Sequence, residues 1–494
     1  MRRSAAFLAL GLAALVTAQY PSAAKPPANL RKGYDAIKEA DARTILGYLA
    51  GPETQGRGTG QPGFQKAAEY IAAQFKAAGL KPMGENGTYF QHGTFYRPAI
   101  SGVSFTTADG KAFTDSQLAL TPFGRDVDVT AKIVVVRGAA EDRLTEEQAK
   151  SLDGAIVVAM ITSGTGRRNP LRSQINLSDA KAVLTVSDRV STQVPRVSQR
   201  STPPSATARV NGQIARDALG LLGSQTGAFL AQAQSGASLL VLPDGAHLVA
   251  KGSIEEVKVP NVVALLEGSD PKLKNEYIGI GGHLDHLGVV NGVVYPGADD
   301  DASGCTAVAL VAKGFAASSV KPKRSILFMT FFGEEMGLLG SKHLVDNSPV
   351  PIDKMVAEFQ MDMVGRDSDG VQNGDESRVD KREENVDTIR LVGSKRISTE
   401  LDTTIQEMNK YVGFRFKYDA EDVYTRSDHY NFAAKGIPIA FLFDGFHPDY
   451  HQPTDTVDKI NFNKVVSAAK LYYLSAMTVA NRPLPPKKDV PQEK

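Results

Sequence analysis

Tyr277-Ile278-Gly279-Ile280-Gly281-Gly282-His283-Leu284-Asp285-His286 begins as an apolar run and ends on side chains able to bind metal or carry protons. Short apolar runs of this kind read as strands buried on both faces. Similar runs stand at 259–266, 326–332, 356–361 and 437–443, with helical stretches between them, notably 303–317 and 399–412. The alternation predicts an α/β fold, a three-layer α/β/α sandwich around a mostly parallel or mixed sheet.

In open α/β sheets, functional groups gather beyond the carboxyl ends of the strands. His283 follows the run ending at Gly281, Glu334 and Glu335 follow Phe332, Asp362 follows Met361, and His451 comes shortly after Phe443. Asp299-Asp300-Asp301 opens the helix that starts near Ser303. Two imidazoles and several carboxylates form a nitrogen and oxygen donor set suited to zinc, and also to cobalt or manganese. A carboxylate shared between two ions holds them about 3.5–4 Å apart, as two-metal hydrolysis requires. Adjacent glutamates allow one to bind metal while its neighbour moves a proton. Each element alone is weak, since an H-x-D is a common accident and paired glutamates usually form a solvated face. Their joint placement at strand ends is much more specific.

Outward from this core, the 494 residues carry 56 basic and 55 acidic side chains, so no net field recommends nucleic acid or a membrane surface as partner. The length favours two folded units. Arg2 and Arg3 precede an apolar run, 5–16, and the small-residue pattern Val16-Thr17-Ala18. That order predicts a cleaved signal peptide over 1–24, a periplasmic or secreted bacterial protein, and no stable membrane span afterwards. The single cysteine, Cys305, excludes an intrachain disulfide and reads as a small buried hydrophobe. Helices are expected at 41–49 and 64–80. Gly58-Thr59-Gly60-Gln61-Pro62-Gly63 formally matches a dinucleotide-binding glycine pattern but follows a helix, so it reads as a flexible loop. The segment 120–245 changes texture, with short β-rich runs and few catalytic residue types, and is expected to be an inserted module between the halves 25–119 and 246–482. The charged stretch 365–385 reads as a mobile loop and 483–494 as a disordered tail.

Several stretches resemble the co-catalytic zinc aminopeptidase family, which includes aminopeptidases Y and S and glutamate carboxypeptidase II. They are Gly281-Gly282-His283-Leu284-Asp285-His286-Leu287-Gly288, Pro296-Gly297-Ala298-Asp299-Asp300-Asp301-Ala302-Ser303-Gly304, Phe332-Gly333-Glu334-Glu335-Met336-Gly337, Gln360-Met361-Asp362-Met363-Val364-Gly365 and Tyr450-His451-Gln452-Pro453-Thr454-Asp455-Thr456. The resemblance covers roughly 37–480 and implies a peptidase with two zinc ions, acting on peptide substrates. It implies one site from His283 and Asp362, another from Glu335 and His451, Asp300 bridging them, and a cis peptide after Asp300. It assigns Glu334 as general base, Asp285 as the carboxylate orienting His283, and Tyr450 as the hydroxyl facing the developing oxyanion. The segment 120–245 resembles the protease-associated domain of that family, which would cover part of the cleft. His286 is expected to pack or hydrogen-bond nearby without ligating. Ser427-Asp428-His429 is set aside as a triad because adjacent residues cannot form the relay, and His343 and His447 have no evident partners. An aminopeptidase is the first reading, a carboxypeptidase or dipeptidase the second, and a non-catalytic receptor-like protein a distant third. Preferred residue, native metal and oligomeric state are not encoded in any motif.

Overall fold

The computed structural model describes residues 20, 23–162, 169–190, 197–199, 209–232 and 236–491, so the apolar run of the targeting segment lies outside the described residues. The chain divides into two compact units, Met1–Gly93 with Pro260–Lys494, and Thr94–Val259.

In the first unit, β1 (Tyr277–His283), β2 (Ser325–Phe331), β3 (Met355–Met361) and β4 (Ile439–Phe443) are parallel and lie in the order β4-β3-β1-β2. Thr388–Val392 runs antiparallel beside β4 and residues 262–266 run antiparallel beside β2, so the sheet is mixed. Every residue of β2 is buried, and its two-residue period sorts the side chains between the faces. Leu327, Met329 and Phe331 cluster with Leu344 and Phe432. Phe328 points the other way, its ring 6.0 Å from those of Phe75 and Phe315. Helices Leu339–Asp346 and His429–Ala433 therefore cover one face, and Pro62–Ala77 with α1 (Ala302–Ala317) the other. The long helix α2 (Phe462–Asn481) packs along α1. Phe328→Ala would cost about 3–5 kcal/mol, the loss typical of a fully buried aromatic.

The start of α1 places the acidic triplet. The Asp301 side chain accepts from Gly304 N at 2.8 Å and caps the helix. Gly304 has to be glycine here, because a Cβ would lie 2.2 Å from Met361 O. Close approach of α1 to the end of β3 thus sets Asp300 beside Asp362.

The second unit holds Val127–Ala139, Ile156–Thr162, Ala182–Ser187 and Val210–Ala215 as successive parallel strands. Ile133, Val135, Ile156, Val158 and Leu184 form its core. The unit is wider than the expected 120–245 and is less purely β, because parallel neighbours need crossovers and helices Glu146–Lys150 and Pro170–Leu177 supply them.

Two segments expected to be loose are ordered by specific partners. Within 365–385, Gly370–Gln372 and Asp375–Asp380 pair as a hairpin, tied down by Arg378 Nη1 donating to Asp422 Oδ1 at 3.0 Å. In the tail, Asp489 Oδ1 accepts from Thr399 N at 2.9 Å and Glu400 Oε2 accepts from Lys487 N at 3.0 Å. An aspartate at the start of helix Thr399–Asn409 satisfies a free N–H and suits the helix dipole, a complementarity that composition does not display.

Candidate metal centre

One cleft at the carboxyl ends of the parallel strands is lined by His283, Asp300, Glu334, Asp362, Phe441 and Phe443. Two groups of donors meet there. His283 Nε2 is 3.2 Å from Asp300 Oδ1 and 3.3 Å from Asp362 Oδ1. His451 Nε2 is 3.1 Å from Asp300 Oδ2 and 3.1 Å from Glu335 Oε2. The two oxygens of Asp300 are thus divided between the two groups, and the Asp300–Asp301 peptide is cis. Asp301 also approaches the first group, but its carboxylate is spent on backbone N–H groups of His283 at 3.1 Å, Gly304 at 2.8 Å and Met363 at 3.1 Å. That leaves Asp300 as the triplet member free to face both histidines.

The donor set fits a pair of divalent cations. A tetrahedral shell with bonds of about 2.0–2.1 Å puts neighbouring donors about 3.3 Å apart, close to the spacing of both groups. Buried Asp300 Oδ2 and Glu335 Oε1 have no hydrogen-bond partner, which is costly unless a cation satisfies them. Burial would depress the His451 imidazole, yet Asp300 and Glu335 outweigh it and carry it up to about 10. His283 is likewise held well above its usual range, with Asp362 and Glu334 overcoming burial. Carboxylates that trap protons on two histidines would trap dications in their place.

Glu334 and Glu335 sit on a single helical turn, Glu334–Met336, entered through Gly333 in the left-handed conformation at φ 62°. The turn sends the neighbours apart: Glu335 joins His451, and Glu334 lines the cleft beside Asp362. Withdrawal from water lifts the Glu334 carboxyl well above its usual range, Asp362, Glu335 and Asp428 adding to the effect and His283 opposing it.

Asp285 does not orient His283 through its carboxylate, whose Oδ1 is 3.9 Å from His283 Nδ1. The imidazole instead meets the Asp285 carbonyl at 3.0 Å. The carboxylate is occupied elsewhere: Oδ2 accepts from Thr59 Oγ1 at 2.7 Å and Oδ1 from Glu334 N at 3.0 Å. Burial takes this carboxyl up to about 6. Its geometry holds the glutamate turn. Tyr450 stacks on His451 with ring centroids 3.9 Å apart, and its hydroxyl accepts from Arg426 Nη2 at 3.4 Å at the cleft wall.

Sequence reasoning missed the supports around these groups. Arg57, fully buried, donates to the carbonyls of Leu49 at 2.7 Å, Leu284 at 2.9 Å, Pro296 at 2.8 Å and Gly297 at 2.8 Å. It ties the His283 loop to the Asp300 loop. Thr59 accepts from Gly333 N at 3.1 Å while donating to Asp285. The glycine-bearing segment read as flexible is therefore a clamp. Asp455 Oδ2 accepts from Asp299 N at 3.0 Å and Asp300 N at 3.2 Å, fixing the triplet. His447 Nε2 lies 3.3 Å from Asp299 Oδ2, with neither atom hydrogen-bonded. His343 lies half-buried, its ring 6.0 Å from that of Phe332. Ser427, Asp428 and His429 each face a different partner: Gln360 Nε2 at 3.3 Å, the Ser341 hydroxyl, and the Tyr424 carbonyl at 2.7 Å. His286 lies in the Glu335–His451 group. Among the described residues no helix is long and apolar enough to cross a membrane.

Comparison with known proteins agrees with this geometry. Residues 261–475 match the profile described as peptidase family M28. A probable leucine aminopeptidase of Arthroderma otae is 27% identical over 224 residues, 43% of this chain and 56% of the relative. A probable zinc metalloprotease of Pyrenophora teres f. teres is 39% identical over 113 residues, 22% of this chain and 23% of the relative. The chain thus spans about half the length of the curated relatives it matches, or less. The crystal structure of a zinc aminopeptidase from Bacillus subtilis shares the fold, with TM-score 0.51, 17% identity, and coverage of 92% of this chain and 99% of that one. Residues 261–475, which match the profile of peptidase family M28, carry both donor groups.

Proposed function

We propose that this chain is a zinc-dependent exopeptidase with two metal ions, an aminopeptidase that hydrolyses the N-terminal residue from peptides. The observation that carries the reading is Asp300, whose oxygens are shared between two donor groups beside an uncommitted glutamate, Glu334. When bound, a pair of zinc ions supplies a Lewis acid and a water of lowered pKa. Glu334 takes the proton of the attacking water and delivers it to the leaving amine. Asp285 holds Glu334 in place through its backbone N–H. The Tyr450 hydroxyl donates to the negative charge developing on the scissile carbonyl. The wall of Val423, Phe441, Phe443 and Phe446 takes an apolar side chain, in keeping with the leucine aminopeptidase description of some relatives.

A carboxypeptidase or dipeptidase is the second reading, favoured by Arg426, the guanidinium lining the cleft, which could receive a substrate carboxylate. We assign the Thr94–Val259 unit to the protease-associated type, and the basic and apolar start of the chain to export into the periplasm or medium. Glu334→Gln should keep both metals yet lower turnover about 10²–10⁴-fold. Free aminoacyl substrates and N-blocked peptides, each assayed with and without chelator, separate the readings. Cleavage of blocked peptides alone overturns the aminopeptidase, and chelator-insensitive turnover overturns the metal centre.

A further inference from the structure

The Glu335–His451 group holds one donor more than its neighbour. His286 lies three residues beyond His283, with its imidazole buried at 2% exposure. Nδ1 is 2.8 Å from Glu335 Oε1 and 3.5 Å from Asp300 Oδ2. Neither ring nitrogen has a hydrogen-bond partner, and neither do those two oxygens. At 2.8 Å an N–H aimed at Glu335 would bond to it strongly, so the in-plane axis of the nitrogen passes beside the oxygen. Donors crowded at this spacing without bonding one another are what remains when their lone pairs converge on a point between them. Gly297 makes the seat: its φ is 56°, and a Cβ there would lie 2.5 Å from the imidazole. The ring stands edge-on to His451, with centroids 5.6 Å apart and planes at 65°.

We infer that His286 Nδ1 is a fourth protein donor to the cation held by Asp300, Glu335 and His451, while the cation at His283, Asp300 and Asp362 keeps three. The two sites are then unlike. A shell with four protein donors is closed, and one with three keeps a position open for water or substrate. The first cation is retained while the second exchanges. The inference rests on the two-metal reading of the cleft.

Equilibrium dialysis of the full-length protein against graded chelator, with zinc content measured, tests it alongside cobalt absorption spectra. Wild type should keep one zinc at chelator levels that strip the other. His286→Ala and His286→Gln should both raise the dissociation constant of the retained ion more than about 100-fold, beyond the roughly 10–100-fold typical of losing a supporting partner, and change the cobalt spectrum of that site. Glutamine can still hydrogen-bond to Glu335, so wild-type affinity and spectrum in His286→Gln would overturn the inference. Zinc X-ray absorption of singly loaded wild type requires no variant: two imidazoles in the shell support it, and one refutes it. A wild type that binds fewer than two ions would instead sink the two-metal reading.

Discussion

Thr59→Val removes one oxygen from the clamp behind the Glu334–Met336 turn at almost constant volume. The hydroxyl donates to Asp285 Oδ2 at 2.7 Å and accepts from Gly333 N at 3.1 Å, and the residue is 8% exposed. Losing a hydrogen bond to a buried carboxyl costs about 1.5–3 kcal/mol, and leaving a buried N–H unpaired about 1–3 kcal/mol. The added methyl returns about 0.8 kcal/mol of burial. The expected net loss is about 3 kcal/mol. Urea titration of the metal-free protein in excess chelator, followed by circular dichroism, reads it without any contribution from metal binding. The midpoint should fall with an unchanged slope, and Thr59→Ser, which keeps the hydroxyl, should stay within about 1 kcal/mol of wild type. Equal losses in the two variants, or less than about 0.5 kcal/mol for valine, would refute the clamp.

Other outcomes follow from the same contacts. Removing metal with chelator should abolish peptide hydrolysis, and added zinc should restore it, measured by turnover of an aminoacyl substrate. Lys470 is buried over the Tyr34 ring at 4.4 Å, and burial lowers its ammonium to about 8, Asp35 opposing. Between about pH 8 and 10.5 the unfolded chain binds more protons, so stability should rise with pH across that window. Lys470→Met should accordingly stabilise the protein at pH 7 by about 1–2 kcal/mol after the lost cation–π contact is subtracted, read from denaturation midpoints. Burial would raise the Asp380 carboxyl, but hydrogen bonds from Ser368, Arg390 and Lys417 bring it down to about 2. Its contribution, about 1 kcal/mol after solvent screening, is present above the unfolded pKa of 3.8 and lost as pH falls through about 2. Asp380→Asn should flatten that part of the acid unfolding curve.

The strand runs were legible because a strand buried on both faces has to be apolar along its whole length, as β2 is. His283, Glu334, Glu335 and Asp362 were legible because each stands at or just past the end of such a run, whereas Asp300 stands at the start of α1. The role of Asp285 was not, since spacing places a carboxylate near His283 without saying which oxygen points where. Thr59 and Gly333, 274 residues apart, occupy its surroundings and redirect it toward Glu334. Nor was His286, two positions past Leu284, distinguishable from a packed histidine until the Asp300 and Glu335 carboxylates closed around it.

By itself, then, the amino-acid order determined a parallel-centred α/β unit and the chemical identity of its metal-type groups, because periodicity and residue type are local properties. Only the tertiary structure decided that His286 lies with Asp300, Glu335 and His451, and that the segment 58–63 is a clamp. Those outcomes depend on lone-pair directions and on hydrogen bonds between residues 226 and 274 positions apart, which leave no period in the sequence.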